Sequence, residues 1–272
     1  MANTRHGKSY LTVLVMAAAL GLTSLLVAGG RASAGVVITE RETTQYPGGK
    51  RTETIRMMVQ GNKQRTVTSR AAIVTDLDRG ITLVIDPATR SYFETPFPPH
   101  SAGISPAAVN SLYGLTFRPT GKTRKLLGFT CDEYEAKGTV MGNRTRVVGC
   151  FSKSAPGASE IVAFQRTMSE KLNASAIKPA KNAPTGVPLS SRSTTWPSPP
   201  PLPGMSPAQA AAMQKQAAKS PPVVSDTVVT AIAVKHLPPS TFEAPASYTR
   251  RSMPAMGPTG VPMPPPGVKV PE

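Results

Sequence analysis

The chain has 272 residues, with 31 Lys plus Arg against 15 Asp plus Glu, a formal net charge of +16, 39% hydrophobic and 5% aromatic residues. That length holds one large domain or two small ones, and no Gly-X-Y period, heptad or internal repeat runs through it, which excludes a collagen, a long coiled coil and a repeat solenoid. Of the 29 prolines, none falls in 1–34, 8 fall in 35–176 and 21 in 177–272, so the last third cannot be mostly regular helix or sheet.

The N-terminus carries Arg5, His6 and Lys8, then an apolar run from Leu11 to Ala28, then Ala32-Ser33-Ala34. This is the three-part order of a secretory signal, with cleavage expected after Ala34. The alternative is an uncleaved anchor, since the run is about 18 residues and just reaches spanning length, but Thr12, Gly21, Thr23 and Ser24 dilute it. No Cys follows the run, so a lipid-anchored export signal is not expected. The expected mature chain starts at Gly35 with a charge of +13. Its location is the periplasm or the extracellular space.

From Gly35 to about Ser154 the apolar period is mostly two. Strands are expected at Val36–Gln45, Arg51–Gln60, Lys63–Ser69, Ala71–Asp76, Ile81–Asp86 and Arg90–Glu94, with an apolar face of Ile55, Met57, Val59, Ile73, Leu83, Ile85 and Tyr92. Short turns between them favour an antiparallel meander. A proline-rich stretch at 95–119 breaks the rhythm, with Ser105-Pro106 opening a short helix to Tyr113. Strands resume at Thr123–Phe129, Asp132–Ala136 and Arg144–Phe151. A helix is expected at Ser159–Asn173, with Ile161, Phe164, Met168 and Leu172 on one face. Val187–Thr195 and Thr227–Lys235 read as two further strands that pair across an excursion at 196–224. Within that excursion Ala208–Lys219 has high helix propensity and almost no apolar face beyond Met213. The residues after Arg251 have no periodicity and read as a disordered, proline-rich tail.

Cys131 and Cys150 can pair in an oxidising compartment or stay as free thiols in a reducing one. They sit opposite each other only if their hairpin turns about Val140 and Met141; a two-residue turn at Gly142-Asn143 would displace them by several residues. Two cysteines with His100 and His236 show no metal-ligand spacing, and no cofactor is expected.

No G-x-S-x-G, H-E-x-x-H, Walker A or G-x-G-x-x-G pattern occurs. Asp76-Leu77-Asp78-Arg79-Gly80 resembles a calcium loop but lacks its further oxygen ligands and closing Glu, so it reads as a polar turn. Glu133 and Glu135 share one strand face and read as cross-strand partners of Lys122, Arg124 or Lys125 and not as a catalytic pair. Catalysis is therefore not expected. The basic residues are scattered and no base-stacking motif accompanies them, so nucleic acid is not an expected partner either.

The order Gln60-Gly61-Asn62-Lys63-Gln64-Arg65, Ile73-Val74-Thr75-Asp76 to Tyr92-Phe93-Glu94, Thr120-Gly121-Lys122-Thr123 with Leu127-Gly128-Phe129-Thr130-Cys131-Asp132-Glu133-Tyr134, and Leu237 to Tyr248 resembles the DUF4412 family of exported bacterial proteins of unknown function. That resemblance covers roughly 36–249. It implies a fold similar to the periplasmic lipoprotein carriers (LolA-like): mainly β (α+β), a curved antiparallel sheet, or half-barrel, wrapping one or two helices around an apolar concavity. The chain departs from the family pattern at Cys150, where an apolar strand residue would stand, and in the excursion and tail. The expected organisation is a signal peptide at 1–34, one β-rich domain at 35–250 and a tail at 251–272.

Two functions follow as expectations. In the first, the concavity holds an apolar ligand such as a lipid acyl chain against Tyr92, Leu112, Tyr113, Phe117, Phe164 and Met168, an adaptable mix of aromatic and aliphatic side chains. In the second, the interior is filled and the basic surface and proline-rich segments contact cell-envelope proteins, with peripheral contact to a membrane.

Overall fold

In the computed structural model the described residues are 34–98, 114–140, 143–175, 181–197, 205–217 and 219–252. Residues 1–33 of the signal segment, the helix expected from Ser105, Leu112 and Tyr113, and the tail from 253 onward lie outside them.

The first half is a six-stranded meander: β1 (Gly35–Tyr46), β2 (Gly49–Gln60), β3 (Lys63–Val67), β4 (Ala72–Asp76), β5 (Ile81–Asp86) and β6 (Ser91–Pro96). Each strand pairs antiparallel with its predecessor. The second half is β7 (Gly114–Leu126), β8 (Phe129–Val140), β9 (Asn143–Ser152), β10 (Val187–Trp196) and β11 (Val223–Lys235), again antiparallel neighbours. β11 closes on β1, which joins the two meanders into one twelve-stranded sheet of order β12-β6-β5-β4-β3-β2-β1-β11-β10-β9-β8-β7. The two-residue β12 (Thr249–Arg250) runs parallel to β6, so the sheet is mixed where an antiparallel one was expected. Helix α1 (Ala158–Ala174) lies between β9 and β10, and α2 (Pro207–Ala217) between β10 and β11.

Several boundaries differ from those expected from the sequence, and β8 spans Phe129–Val140 where Asp132–Ala136 was expected. β7 begins at Gly114, well before Thr123, and runs through Pro119. It is an edge strand whose pairing shifts between Pro119 and Thr123, and a proline at an edge bulge forfeits no ladder bond. The β7–β8 turn falls at Leu127-Gly128, with φ of 50° and 83°, and not after Phe129. Two consecutive left-handed residues make the tight turn whose twist matches that of the flanking strands. β11 starts at Val223, ahead of Thr227.

The sheet carries a buried cluster on each face. On one face α1 presses Ile161 and Phe164 onto Val36, Ile38, Val59, Val187, Leu189 and Val229, with Met57 and Met168 packed around them. On the other, the closing segment brings Leu237 and Phe242 onto Val37, Met58, Ala72, Val74, Leu83 and Ile85. Leu77 at the end of β4 and Leu126 at the end of β7 both join the α1 cluster. Eight strand spacings of about 4.8 Å separate β4 from β7 along a flat sheet, roughly 38 Å, whereas a 17-residue helix is about 25 Å long. The sheet therefore curves around α1 as a half-barrel.

The expected apolar face is divided by the sheet: Ile55, Met57, Val59 and Ile73 stand on the α1 side, whereas Leu83, Ile85 and Tyr92 pack into the cluster on the other. Ile73 is 46% exposed, while its neighbours Ala72 and Val74 are buried. Ile73 is in register through Thr66 with Met57 and so belongs to the α1 side. Over β3–β6 it is the opposite side that the closing segment covers.

Cys131 and Cys150 form a disulfide with a Cα–Cα distance of 5.3 Å. Its register is neither of the two considered from sequence, since Val140 faces Asn143 and Cys150 faces Glu133. The cysteines are diagonal neighbours, and strand twist brings one diagonal of a pair closer than the other.

Candidate functional site

Residues directly opposite in an antiparallel ladder share a face, so the register gives, row by row, the composition of the side that carries Glu42 and Thr44; on β8 and β9 Cys131 and Cys150 of the α1 cluster stand out of phase with it. One row runs Phe117, Ala136, Val147, Ser193, Ser225, Thr44 and Arg51. The next runs Pro119, Tyr134, Gly149, Ser191, Thr227, Glu42 and Glu53. This surface is graded: apolar and aromatic on β7–β9, small hydroxyls on β10 and β11, acidic on β1, and on β2 an Arg51–Glu53 ion pair at 3.0 Å. Phe117 and Tyr134 meet Phe151 edge-on, with centroids 6.4 and 5.9 Å away. These three rings and Val147 are half-buried and belong to neither buried cluster. Gly149 is buried beneath the Phe151 ring, where a Cβ would approach to 2.7 Å.

At the acidic end Glu40 and Glu42 continue the alternation of Val36 and Ile38. Glu40 faces Ile55 on β2 and Val229 on β11. It makes no hydrogen bond or ion pair to a described residue, whereas Glu42 accepts hydrogen bonds from Thr44 at 3.2 Å and from Ser225. Burial among apolar neighbours, assisted by the Glu42 charge, pushes the Glu40 pKa up to about 7. The sequence holds the signal for these two, acids at the even positions of a strand whose earlier even positions are apolar.

The sequence-derived pocket set is only partly brought together. Phe164 is fully buried in the α1 cluster and Met168 packs against it. Tyr92 packs into the cluster on the opposite face. Phe117 lies on the edge strand with Phe151, and Leu112 and Tyr113 are outside the described residues.

The acidic residues weighed for chemistry have structural partners. Asp76 Oδ1 accepts from the amides of Asp78 and Arg79 at 3.1 and 3.0 Å, and its Oδ2 meets Lys63 Nζ at 3.1 Å, which closes a polar turn. Glu133 pairs with Arg124 at 3.5 Å. Glu135 is held by Lys137 at 3.1 Å and Arg146 at 2.6 Å, and these bonds lower its pKa. Among the described residues no three His, Cys, Asp or Glu side chains cluster in a way that could hold a metal, and no helix is long and apolar enough to cross a membrane.

No protein-family model matches the chain, and no curated protein matches it. Solved structures match at low identity. PNGF-II is 10% identical over 81% of this chain with a TM-score of 0.41, and this chain spans 31% of its length. A LolA superfamily protein from Nitrosomonas europaea is 9% identical over 78% of this chain and 91% of its own, with a TM-score of 0.27. A DUF1329 family protein from Desulfovibrio piger is 10% identical, again over 78% and 91%, with a TM-score of 0.31.

Proposed function

We propose that this is an exported, non-catalytic protein that holds an apolar ligand, such as a lipid acyl chain, against the face of β7–β9 that carries Phe117, Tyr134 and Val147. The observation that carries this reading is the set Phe117, Tyr134, Val147 and Phe151, half-buried apolar side chains on that side which neither core cluster uses. An apolar chain laid there would contact rings at one end and reach the hydroxyls of Ser191 and Ser193 with a polar end. Export to the periplasm or beyond, without a lipid anchor, is supported by the signal-like segment ending at Ala34 and by the disulfide, which persists in oxidising compartments. We read residues 35–250 as one domain related to the DUF4412 type, with the quoted residues as its support.

Native mass spectrometry and lipid extraction of the mature protein from its own compartment test the function. The expected result is a co-purifying lipid that is lost on Val147→Glu, which places a charge on the floor. Repeated recovery without lipid, or equal binding of a fluorescent fatty acid by Val147→Glu and the parent, overturns it.

One observation favours the second reading, an envelope scaffold. Helix α2 buries no residue, and an exposed helix on a proline-rich excursion is a usable contact surface. Loss of co-purifying envelope proteins on deleting 205–220, with lipid recovery unchanged, would favour that reading.

A further inference from the structure

The side of the same sheet opposite Phe117, Tyr134 and Val147 carries a second feature at the open ends of β8, β9 and β10. A cleft of about 330 Å³ is lined by Lys137, Gly138, Arg144, Thr145, Arg146 and Trp196. Its cationic residues are placed by register: Lys137 faces Arg146 across β8–β9, and Arg144 faces Trp196 across β9–β10. Each stands one position out of phase with the floor residues Ala136, Val147 and Thr195, so their side chains leave the opposite side of the sheet.

The Arg144 guanidinium lies 4.5 Å from the centroid of the Trp196 ring. Stacking uses the face of a guanidinium and leaves its in-plane N–H groups pointing outward. Arg144 makes no hydrogen bond or ion pair to any described residue, and the stack fixes the direction of that edge. Arg146 engages Glu135 through Nε, and Lys137 engages the other Glu135 oxygen. One carboxylate thus answers three cations, and the cleft keeps a charge of about +2. The donors converge from two positions on β9 and one on β8. A planar carboxylate is satisfied by one fork, whereas a tetrahedral phosphate presents oxygens in three directions.

We infer that this cleft binds a phosphate group, either free or on a lipid headgroup, with Arg144 stacked on Trp196 as its fixed donor and Lys137 and Arg146 completing the site. It is independent of the apolar-ligand reading, because it uses other residues on the other face.

Trp196 is the chain's only tryptophan, so its fluorescence reports on this cleft alone. The mature chain is titrated with inorganic phosphate, with sulfate at equal ionic strength, with vesicles of phosphatidylcholine, and with vesicles of equal phosphatidylcholine and phosphatidylglycerol. A Trp196 response to inorganic phosphate with little response to sulfate identifies a free-phosphate site. A response confined to phosphatidylglycerol vesicles identifies the headgroup. In either case Arg144→Gln and Lys137→Gln, both at exposed positions, are expected to weaken binding about tenfold, with unchanged far-UV circular dichroism. Arg192→Gln removes an equal charge from the same face outside the cleft, where Arg192 pairs with Asp226 at 2.6 Å, and is expected to leave binding within about twofold. No Trp196 response to any probe, equal response to phosphate and sulfate, or a loss in Arg192→Gln as large as in Arg144→Gln overturns the site.

Discussion

Replacing Glu40 by Gln should stabilise the fold at alkaline pH and leave it unchanged in acid. Glu40 sits between Ile55 and Val229 on the α1-bearing face, and burial followed by the Glu42 charge raises its pKa from 4.5 to about 7. The folded chain therefore holds this proton more tightly than the unfolded chain does. Below pH 4.5 both states are protonated and the group has no effect on stability. As the pH climbs from 4.5 to about 7 the unfolded state releases its proton first, so stability falls, and above 7 the whole penalty is present. At about 1.4 kcal/mol per pKa unit the ceiling is about 3 kcal/mol. The partial access of this side chain to water screens that figure, which leaves an expected effect of about 1–2 kcal/mol. Urea unfolding of the oxidised mature chain at pH 4.5 and 8.5 measures it, with groups common to both proteins cancelling in the difference. A Glu40→Gln gain that is the same at both pH values, or a parent that is the more stable at pH 8.5, refutes the reasoning.

Three further outcomes are expected. Cys131→Ser with Cys150→Ser opens a bridge of sequence separation 19 and should lower stability by about 3 kcal/mol, read as a shifted urea midpoint against the oxidised parent; no shift would mean that the bridge constrains nothing the fold does not already hold. Phe164→Ala empties a site where the ring is 2% exposed and should cost about 3–5 kcal/mol, so a loss below about 1 kcal/mol would contradict the packing of α1 on β1 and β2. Gly138→Ala would set a Cβ 1.8 Å from the Gly114 carbonyl oxygen, forcing β7 and β8 apart at a cost of about 1–3 kcal/mol; a thermal scan showing the parent's midpoint would place Gly114 elsewhere.

Much of the meander was legible because turn chemistry and period-two alternation agreed. Gly61-Asn62 and Asp86-Pro87 separate strands whose limits the structure reproduces closely, and β10 and β11 pair across the excursion as their alternation implied. Two pieces of the quoted residue order also touch: Gln60 exchanges hydrogen bonds with Leu237 at 2.7 and 3.2 Å, and Arg65 donates to the Thr241 carbonyl at 2.9 Å. What escaped the sequence was which side each strand buries. Alternation shows that Ile73 and Val74 point oppositely, but not that a segment near residue 240 covers Val74. The same ignorance placed Tyr92 beside Phe164, although the sheet lies between their clusters. The Arg144–Trp196 stack was invisible because it depends on a pairing between residues 52 apart that only the register supplies.

The two-sided burial explains where the apolar floor can exist at all. β1 opens with Val36, Val37 and Ile38 in succession, and β2 ends with Met57, Met58 and Val59. Unbroken apolar runs of this kind belong to strands covered on both faces, here by α1 on one and the closing segment on the other. On β1 the run ends where Glu40 takes the position Ile38 would repeat, and that substitution marks the limit of the α1 cluster. Beyond it the same face continues across β11 and β10 as serines and threonines, which tolerate partial hydration, and then on β9 and β8 as Val147, Phe151 and Tyr134, which do not. Apolar side chains left half-buried beyond the reach of their own core gain about 25 cal/mol for each Å² that a partner removes from water. An acyl chain has the shape to supply that contact without competing for the hydroxyl bonds already made by Glu42, Thr44 and Ser225.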